Sequence, residues 1–255
     1  RPLYLKFMNF NISSKIILYF HNDPLSMKGS STKDERKFLL NKCQKIIFNS
    51  KWCLNRFLSD IKIDNFEKLK VIPQSTSKTK ININSKKNII SFIGKLNESK
   101  GYDIFCSTIV KLLDKYKNWR AIVIGDEIRQ KIFVKHPRVK LYGFKSNKFI
   151  LNKLKKVSIA TIPSKWDEPF GRSSLEACSR GCAVIISNKG GLPETTRNCL
   201  VLKNLTEKDL YLNIERLILN KKLRLSLQNK AYKNFYLTNK YVSSLLDLEN
   251  EKILK

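Results

Sequence analysis

The chain has 255 residues, 42% of them hydrophobic, which suits about two domains that each bury a core without a metal or a disulfide. No apolar run approaches the ~20 residues of a membrane span, which argues against a transmembrane protein. The formal net charge of +29 attracts polyanions. The lysines are spread along the chain, however, and they accompany abundant Asn and Ile, as an AT-rich coding sequence would give. We therefore expect no nucleic-acid partner.

The first part of the chain alternates short apolar runs with helical patterns. Helix starts are marked by capping residues, Ser31 or Thr32 for the first helix and Ser50 for the second. In chain order we predict a strand at 15–20, a helix at about 33–43, a strand at 46–48, a helix from 51 to about 58 and a strand at 69–72.

Residues 73–87 are rich in Ser, Thr, Lys and Asn and lack a helical period, so they are the best linker candidate. Beyond them the alternation becomes regular, and the chain from Glu207 onward is helical in its periodicity. The predicted strands are 89–93, 121–124, 139–142, 158–162, 183–187 and 200–202, and the predicted helices are about 102–116, 147–156 and 173–180.

Strands that alternate with helices through short loops predict an α/β fold with parallel sheets and right-handed crossovers. Ligands of such sheets bind at the carboxyl ends of the strands. This rule points to the loops that follow Gly94, Gly125, Gly143 and Ile162.

The loop from Gly94 to Gly101 separates a predicted strand from a predicted helix. Glycine allows the backbone to approach a ligand, and the start of the helix offers unpaired N–H groups. Lys95 and Lys100 add two ammonium charges, so the loop suits a diphosphate. An ordinary strand–helix turn with solvated lysines is the alternative, and this loop alone does not decide between them.

Two glutamates, Glu168 and Glu176, have seven residues between them around the start of a helix. Carboxylates accept strong hydrogen bonds from hydroxyl groups, which are dense on sugars and riboses. The alternative for Glu176 is a capping box with Ser173, and for Glu168 a solvated loop acid. Neither alternative explains the aromatic and turn-fixing residues of the same loop, which are Trp166, Pro169, Phe170 and Gly171.

The stretch SKWDEPFGRSSLEACSRGCAVIISNKGGLPET resembles the donor-site signature of glycosyltransferase family 4, whose Glu-x7-Glu pair is matched by Glu168 and Glu176. The loop from Gly94 to Gly101 resembles the diphosphate loop of that family. Lys95 departs from the family pattern, since Arg is usual there and Lys lacks its bidentate fork. The resemblance covers roughly residues 15–245 and implies the GT-B fold, two Rossmann-like domains with parallel sheets.

The resemblance also implies a division of the chain. Residues 1–75 would form an acceptor-side domain, residues 76–239 the donor-binding domain, and residues 240–255 a helix that crosses back to the N-terminal domain. An acceptor-side domain of this family opens with a strand and a Gly-rich loop. Only its later part matches residues 1–75, so we expect the N-terminal domain to be partial.

In the family's scheme, Lys95 and Lys100 hold the donor diphosphate, Glu176 binds the ribose hydroxyls and Glu168 lies beside the transferred sugar. His21 faces the donor sugar from the acceptor side, although a packing or loop histidine is the alternative. The implied catalytic residues are Glu168, His21 and Lys100. The implied donor-binding residues are Gly94, Lys95, Lys100, Gly125, Glu168, Pro169, Phe170, Gly171 and Glu176.

The activity implied is retaining transfer of a sugar from a nucleoside-diphosphate sugar, a UDP-sugar, to a glycan or lipid-linked acceptor in cell-envelope polysaccharide synthesis. We expect no metal and no cofactor apart from the nucleotide-sugar substrate, because two lysines and a helix dipole neutralise the phosphates and the chain has only two histidines. The alternative is an inactive module that binds a nucleotide-sugar or a partner without transferring anything.

Two other function classes lack their sequence features. A nucleic-acid-binding protein would need basic residues clustered with exposed aromatics. A dinucleotide oxidoreductase would need a Gly-x-Gly-x-x-Gly turn after a strand. The six cysteines contain no Cys-x2-Cys pair, and reduced thiols favour a cytoplasmic protein. The positive charge adds the expectation of peripheral contact with an anionic membrane at its inner face.

Overall fold

The computed structural model describes residues 1–7, 15–63 and 65–254, which fall into two compact units. The first unit comprises residues 1–75, 168–170 and 237–255, and the second comprises residues 76–167 and 171–236. Residues 8–14, 64 and 255, which belong to the predicted segments 1–75 and 240–255, lie outside the described residues. The described strand pairs of both units are parallel, which confirms the predicted α/β class.

The first unit contains a three-stranded parallel sheet with the strand order β1-β2-β3. Its strands are β1 (Ile17–Phe20), β2 (Lys45–Phe48) and β3 (Leu69–Val71), and its first helices are α1 (Lys33–Lys42) and α2 (Lys51–Phe57). Three buried rings hold the core together: Phe48 lies 5.5 Å from Phe20 and 5.2 Å from Phe57, measured between ring centroids. Aromatic side chains of this size dominate the burial energy of a small core.

Side-chain caps fix the starts of both helices. Thr32 accepts a hydrogen bond from the Glu35 backbone, and the Glu35 side chain accepts one from the Thr32 backbone, so α1 begins with a complete capping box. Ser50 accepts from the Cys53 backbone at 3.0 Å at the start of α2. Of the two predicted caps for the first helix, Ser31 and Thr32, the structure therefore uses Thr32. The predicted cap Ser50 of the second helix is confirmed.

The C-terminal helix α8 (Asn239–Leu254) belongs to the first unit. Its residue Glu249 is 4% exposed and pairs with Lys45 of β2 at 2.9 Å. Lys252, one turn further along the helix, donates to the other carboxylate oxygen at 2.9 Å. Lys70 of β3 lies 3.8 Å from the oxygen that Lys252 contacts, so a buried carboxylate with three ammonium partners joins the end of the chain to the first sheet.

The second unit contains a six-stranded parallel sheet with the order β6-β5-β4-β7-β8-β9. Its strands are β4 (Lys87–Ile93), β5 (Arg120–Ile124), β6 (Val139–Leu141), β7 (Val157–Ile162), β8 (Ala183–Ile186) and β9 (Cys199–Val201). Its helices are α3 (Tyr102–Lys115), α4 (Asn147–Leu154), α5 (Arg172–Ser179), α6 (Glu207–Leu219) and α7 (Lys221–Lys233). The inner strands β5, β7 and β8 are buried along most of their length, as expected when helices cover both faces of a parallel sheet.

The C-terminal helical region is divided where the sequence periodicity showed no break. Asn220 ends α6, and its side chain accepts a hydrogen bond from the Leu223 backbone at 2.8 Å to start α7. A single capping Asn can therefore end one helix and begin the next without a Gly or a Pro. Among the helices of the described residues, none is both long and apolar enough to cross a membrane.

Candidate functional site

Two glycines bring the ends of β4 and β5 into close contact in the second unit. The Gly94 N–H donates to the Ile124 carbonyl at 3.1 Å, and Gly125 has a φ of +145°. A Cβ atom added to Gly125 would lie 1.8 Å from the Gly94 carbonyl oxygen, so only glycine fits at that position. A Cβ on Gly94 would meet nothing within 4 Å, so the outer side of this loop is open to a ligand.

Asn97 organises the loop that carries the two lysines. Its side-chain oxygen accepts from the Lys100 backbone at 3.1 Å and from the Ser99 hydroxyl at 2.8 Å. Its side-chain amide donates to Glu127, in the loop after β5, at 2.9 Å. The sequence prediction gave Asn97 no role, although an Asn side chain that bonds the backbone a few residues further on is a known turn signal.

The same loop is joined to the one that follows β7. The Ser99 carbonyl accepts from the backbone N–H groups of Lys165 and Trp166, both at 2.9 Å. Gly101 has a φ of +70°, and a Cβ there would lie 2.0 Å from the Pro163 carbonyl oxygen. The carboxyl ends of β4, β5 and β7 therefore form one connected edge.

The two predicted lysines lie on this edge with different exposure. Lys95 is exposed and has no ion pair among the residues that the structure describes, whereas Lys100 is half-buried. Two ammonium groups on a loop that precedes helix α3 can hold an anion at this edge.

Helix α5 does not begin with the capping box that the sequence allowed as an alternative. Its N-cap is Gly171, with a φ of +117° and no side-chain hydrogen bond. The Ser173 hydroxyl donates instead to the Ile93 carbonyl at 2.9 Å, which joins the start of α5 to the end of β4. The capping-box interpretation of Ser173 and Glu176 is therefore wrong, and the Glu176 carboxylate has other partners.

Glu176 is a buried carboxylate with two donors on one oxygen. It is 4% exposed, and its Oε1 accepts from the Asn147 amide at 2.7 Å and from the Arg172 guanidinium at 3.0 Å. Burial raises the pKa of Glu176 above its ordinary value, while Arg172 and Asn147 act in the opposite direction. Oε2 has no hydrogen-bond partner within the described part of the chain. That oxygen can accept hydrogen bonds from a ligand.

The first unit places His21 at the carboxyl end of β1, beside the residue that follows β2. The Asn49 amide donates to the His21 carbonyl at 3.0 Å, and the Gln74 amide nitrogen lies 3.2 Å from His21 Nδ1. The rings of Tyr19 and His21 lie 4.2 Å apart. Sequence reasoning did not find the contacts of His21 with Asn49 and Gln74.

The predicted residues Glu168, Pro169 and Phe170 belong to the first unit, although Asp167 and Gly171 on either side belong to the second. The Pro169 carbonyl accepts from the Ser50 hydroxyl at 2.5 Å and from the Cys53 thiol at 3.5 Å. Glu168 is half-buried. The structure thus places Glu168 with His21 in one unit and Gly94, Lys95, Lys100, Gly125, Gly171 and Glu176 in the other.

The described residues contain no group of three or more His, Cys, Asp or Glu side chains that could hold a metal ion.

A family model described as glycosyl transferases group 1 matches residues 73–234, more than half of the chain. An uncharacterized 42.6 kDa protein in the cps region of Klebsiella pneumoniae is 33% identical over 112 residues, which cover 42% of this chain and 28% of that protein. The 2-deoxystreptamine N-acetyl-D-glucosaminyltransferase of Niallia circulans is 30% identical over 122 residues, covering 45% of this chain and 31% of the relative. The chain thus spans about a third of the length of these curated relatives.

Solved structures share the fold over most of the chain. The crystal structure of Anabaena Alr3699/HepE in complex with UDP and glucose superposes with a TM-score of 0.75 at 18% sequence identity. That match covers 94% of this chain and 72% of the Anabaena chain.

Proposed function

The chain belongs to the glycosyl transferases group 1 family and has the GT-B fold, and from that premise we propose that it is a retaining glycosyltransferase of family 4. Its donor is a UDP-sugar, and its acceptor is a glycan or a lipid-linked glycan in cell-envelope polysaccharide synthesis. The proposal draws support from a relative that is an N-acetyl-D-glucosaminyltransferase and from a structural neighbour that holds UDP and glucose.

The observation that carries this proposal is that both hydrogen bonds to the Glu176 carboxylate are made to one of its two oxygens. Two donors hold Oε1, whereas Oε2 lacks a partner in the described residues. Two vicinal ribose hydroxyls would supply the donors that a buried carboxylate needs. Because Ser173 joins the start of α5 to the end of β4, the ribose site and the lysine loop are parts of one edge.

The diphosphate is then assigned to the lysine loop. Lys95 and Lys100 supply two positive charges, and α3 begins directly after them. Helix α5 begins at a glycine that provides no side-chain cap, so its first N–H groups remain for an anion. These groups neutralise the phosphates, so the proposed reaction needs no metal and no cofactor.

In the proposed reaction, the bond between the anomeric carbon and the leaving diphosphate oxygen breaks through an oxocarbenium-like state. Negative charge develops on the diphosphate, where Lys95 and Lys100 stabilise it. The acceptor hydroxyl attacks from the face that the diphosphate leaves, and the leaving phosphate takes its proton, so the anomeric configuration is retained. Glu168 is assigned a place beside the transferred sugar, and His21 is assigned a contact with a sugar hydroxyl or the phosphate.

The test of the donor site is a calorimetric titration with UDP on Glu176→Ala. Charged hydrogen bonds contribute roughly 1.5–3 kcal/mol each, so we expect UDP affinity to fall by about 10- to 100-fold. The matched control is Glu251→Ala, which removes an exposed carboxylate of α8 and should leave UDP affinity unchanged. Unchanged affinity in Glu176→Ala would remove the ribose assignment.

Transfer itself is tested by incubating the chain with a panel of UDP-sugars and measuring released UDP, with and without glycan and lipid-linked acceptors. Acceptor-dependent UDP release is expected from the enzyme. UDP binding without release would favour the alternative, an inactive nucleotide-sugar-binding module.

We place this reaction in the cytoplasm, with peripheral contact at the inner face of an anionic membrane. The support is the net charge of +29 and six cysteines, none of which forms a disulfide bond.

A further inference from the structure

The second unit contains the longest stretch of the chain without an acidic residue. From Ile128 to Trp166 there is no Asp or Glu, while eleven residues are Lys or Arg. This stretch includes β6, which is one of the two edge strands of the sheet, and helix α4, which follows it. This stretch therefore carries a local excess of positive charge in the sequence of the second unit.

Three of these lysines gather on two aromatic rings. The rings of Tyr142 and Phe149 lie 5.2 Å apart in an edge-to-face arrangement. The Lys153 ammonium lies 4.7 Å from the Tyr142 centroid and 5.0 Å from the Phe149 centroid. Lys140 lies 5.2 Å from the Tyr142 centroid, and Lys145 lies 5.8 Å from the Phe149 centroid. We call these five residues the basic edge.

The lysines of the basic edge differ from many lysines elsewhere in the unit because they lack acidic partners. Lys111, Lys115 and Lys165 each pair with a carboxylate within 4 Å. Lys140, Lys145 and Lys153 form no such pair among the described residues. Three like charges held close together repel one another, so an anionic partner stabilises them.

The surroundings of the basic edge favour a lipid surface over a nucleic acid. Ammonium groups lie over the rings of Tyr142 and Phe149, which hinders the stacking of bases on those rings. Phe144, between them in sequence, is 76% exposed, and Leu141 is 44% exposed. Exposed apolar side chains among lysines and a tyrosine suit the boundary between headgroups and acyl chains.

We propose that the basic edge docks the second unit on an anionic phospholipid bilayer. The three lysines contact the headgroups, and Phe144 and Leu141 enter the interfacial region. This inference specifies the membrane contact of the proposed function but does not depend on sugar transfer. It also corrects the sequence expectation that no basic cluster with exposed aromatics is present.

The experiment is co-sedimentation of the full chain with vesicles of phosphatidylcholine, with or without phosphatidylglycerol. The test variant combines Lys140→Gln, Lys145→Gln and Lys153→Gln. The matched control combines Lys221→Gln, Lys222→Gln and Lys230→Gln, which remove the same charge from exposed positions of α7. Titration with UDP on both variants shows whether the fold of the second unit and its donor site survive.

We expect the chain to bind the anionic vesicles and not the neutral ones. The test variant should bind about 10- to 100-fold more weakly, the control variant should change little, and Phe144→Ser should weaken binding with the lysines intact. Equal losses in the two triple variants would mean that net charge alone acts, and would overturn the proposal. Retention of a single-stranded DNA oligonucleotide at the basic edge, without vesicle binding, would overturn it as well.

Discussion

The amide of Asn147 donates to the same Glu176 oxygen as the Arg172 guanidinium, and it comes from the first residue of α4. We expect Asn147→Ala to let the Glu176 carboxylate rotate, because only the exposed Arg172 would then donate to it. UDP affinity should fall by about 3- to 10-fold, since one hydrogen bond to a charged group is lost. Calorimetric titration measures this loss. Asn152→Ala, an exposed change in the same helix, should have no effect, and equal losses in both variants would contradict the positioning role.

The buried carboxylate of Glu176 also predicts a pH dependence. Its pKa is raised in the folded chain, chiefly by burial, so the folded state holds this proton to a higher pH than the unfolded state does. The contribution of Glu176 to the free energy of unfolding is therefore largest at low pH and falls as pH rises through the raised pKa. Urea titrations from about pH 4 to about pH 7 should show this slope in the wild type relative to Glu176→Gln.

Binding should show the opposite trend, since ribose hydroxyls donate to the ionised form. UDP affinity of the wild type is expected to rise as pH rises through the raised pKa, and that of Glu176→Gln to lack this component. Parallel pH profiles for the two proteins would show that Glu176 does not titrate in the site.

The position of a residue in the fold could be predicted where the residue stands in a short motif beside a predicted strand or helix, while its role in donor binding stays a prediction. Lys95, Lys100 and Glu176 stand within short motifs, and the structure puts all three at the carboxyl-end edge of one sheet. The residues that hold them in place could not be found this way. Asn147 lies 29 residues from Glu176, and Asn97 lies 30 residues from Glu127, so only the folded chain brings each pair together.

At the scale of elements, the contact between the ends of β4 and β5 depends on Gly125. We expect Gly125→Ala to destabilise the second unit by about 2–4 kcal/mol, because the new Cβ would lie 1.8 Å from the Gly94 carbonyl oxygen. UDP binding should weaken as well, since the lysine loop has to move. Thermal unfolding and UDP titration measure the two effects.

Gly143 provides the matched control, since it follows the neighbouring strand β6 and also has a positive φ, +65°. A Cβ there meets nothing within 4 Å, so Gly143→Ala should cost only the backbone strain, about 1–2 kcal/mol. Equal destabilisation by the two substitutions would show that the approach of Gly94 and Gly125 is unimportant.

Most elements could be predicted because apolar runs and caps are local signals. Strand β8 is a fully buried apolar run, and α1 carries its capping box in four consecutive residues. The start of α5 could not be predicted, because the motif around Ser173 allows a capping box. The structure uses Gly171 as the cap and turns the Ser173 hydroxyl to Ile93, a residue 80 positions away.

At the scale of the molecule, the chain contributes three separate segments to the first unit. The polar composition of residues 73–87 predicts a linker, and the boundary between units 1 and 2 falls within it, after Ser75. That residues 168–170 belong to the first unit could not be predicted. It depends on hydrogen bonds from Ser50 and Cys53 to the Pro169 carbonyl, more than a hundred residues away in sequence.

The C-terminal segment of the first unit supplies the last prediction. Glu249 is buried; burial alone would raise its pKa, but hydrogen bonds from Lys252 and Lys45 lower it below the ordinary value. The contribution of Glu249 to the free energy of unfolding is therefore present at neutral pH and is lost as pH falls through the lowered pKa. We expect Glu249→Ala to destabilise the first unit by about 2–3 kcal/mol, because the substitution leaves Lys45 without its buried partner.

Hydrogen exchange separates this effect from a general loss of stability. Amide protons of β1, β2 and α8 should exchange faster in Glu249→Ala at neutral pH, while those of β4, β5 and β7 should keep their wild-type rates. Glu251→Ala, two residues along the same helix and exposed, should leave both sets unchanged. If both units lost protection together, α8 would stabilise the whole chain rather than the sheet to which Lys45 belongs. If neither did, the buried pair between β2 and α8 would contribute nothing to the first unit.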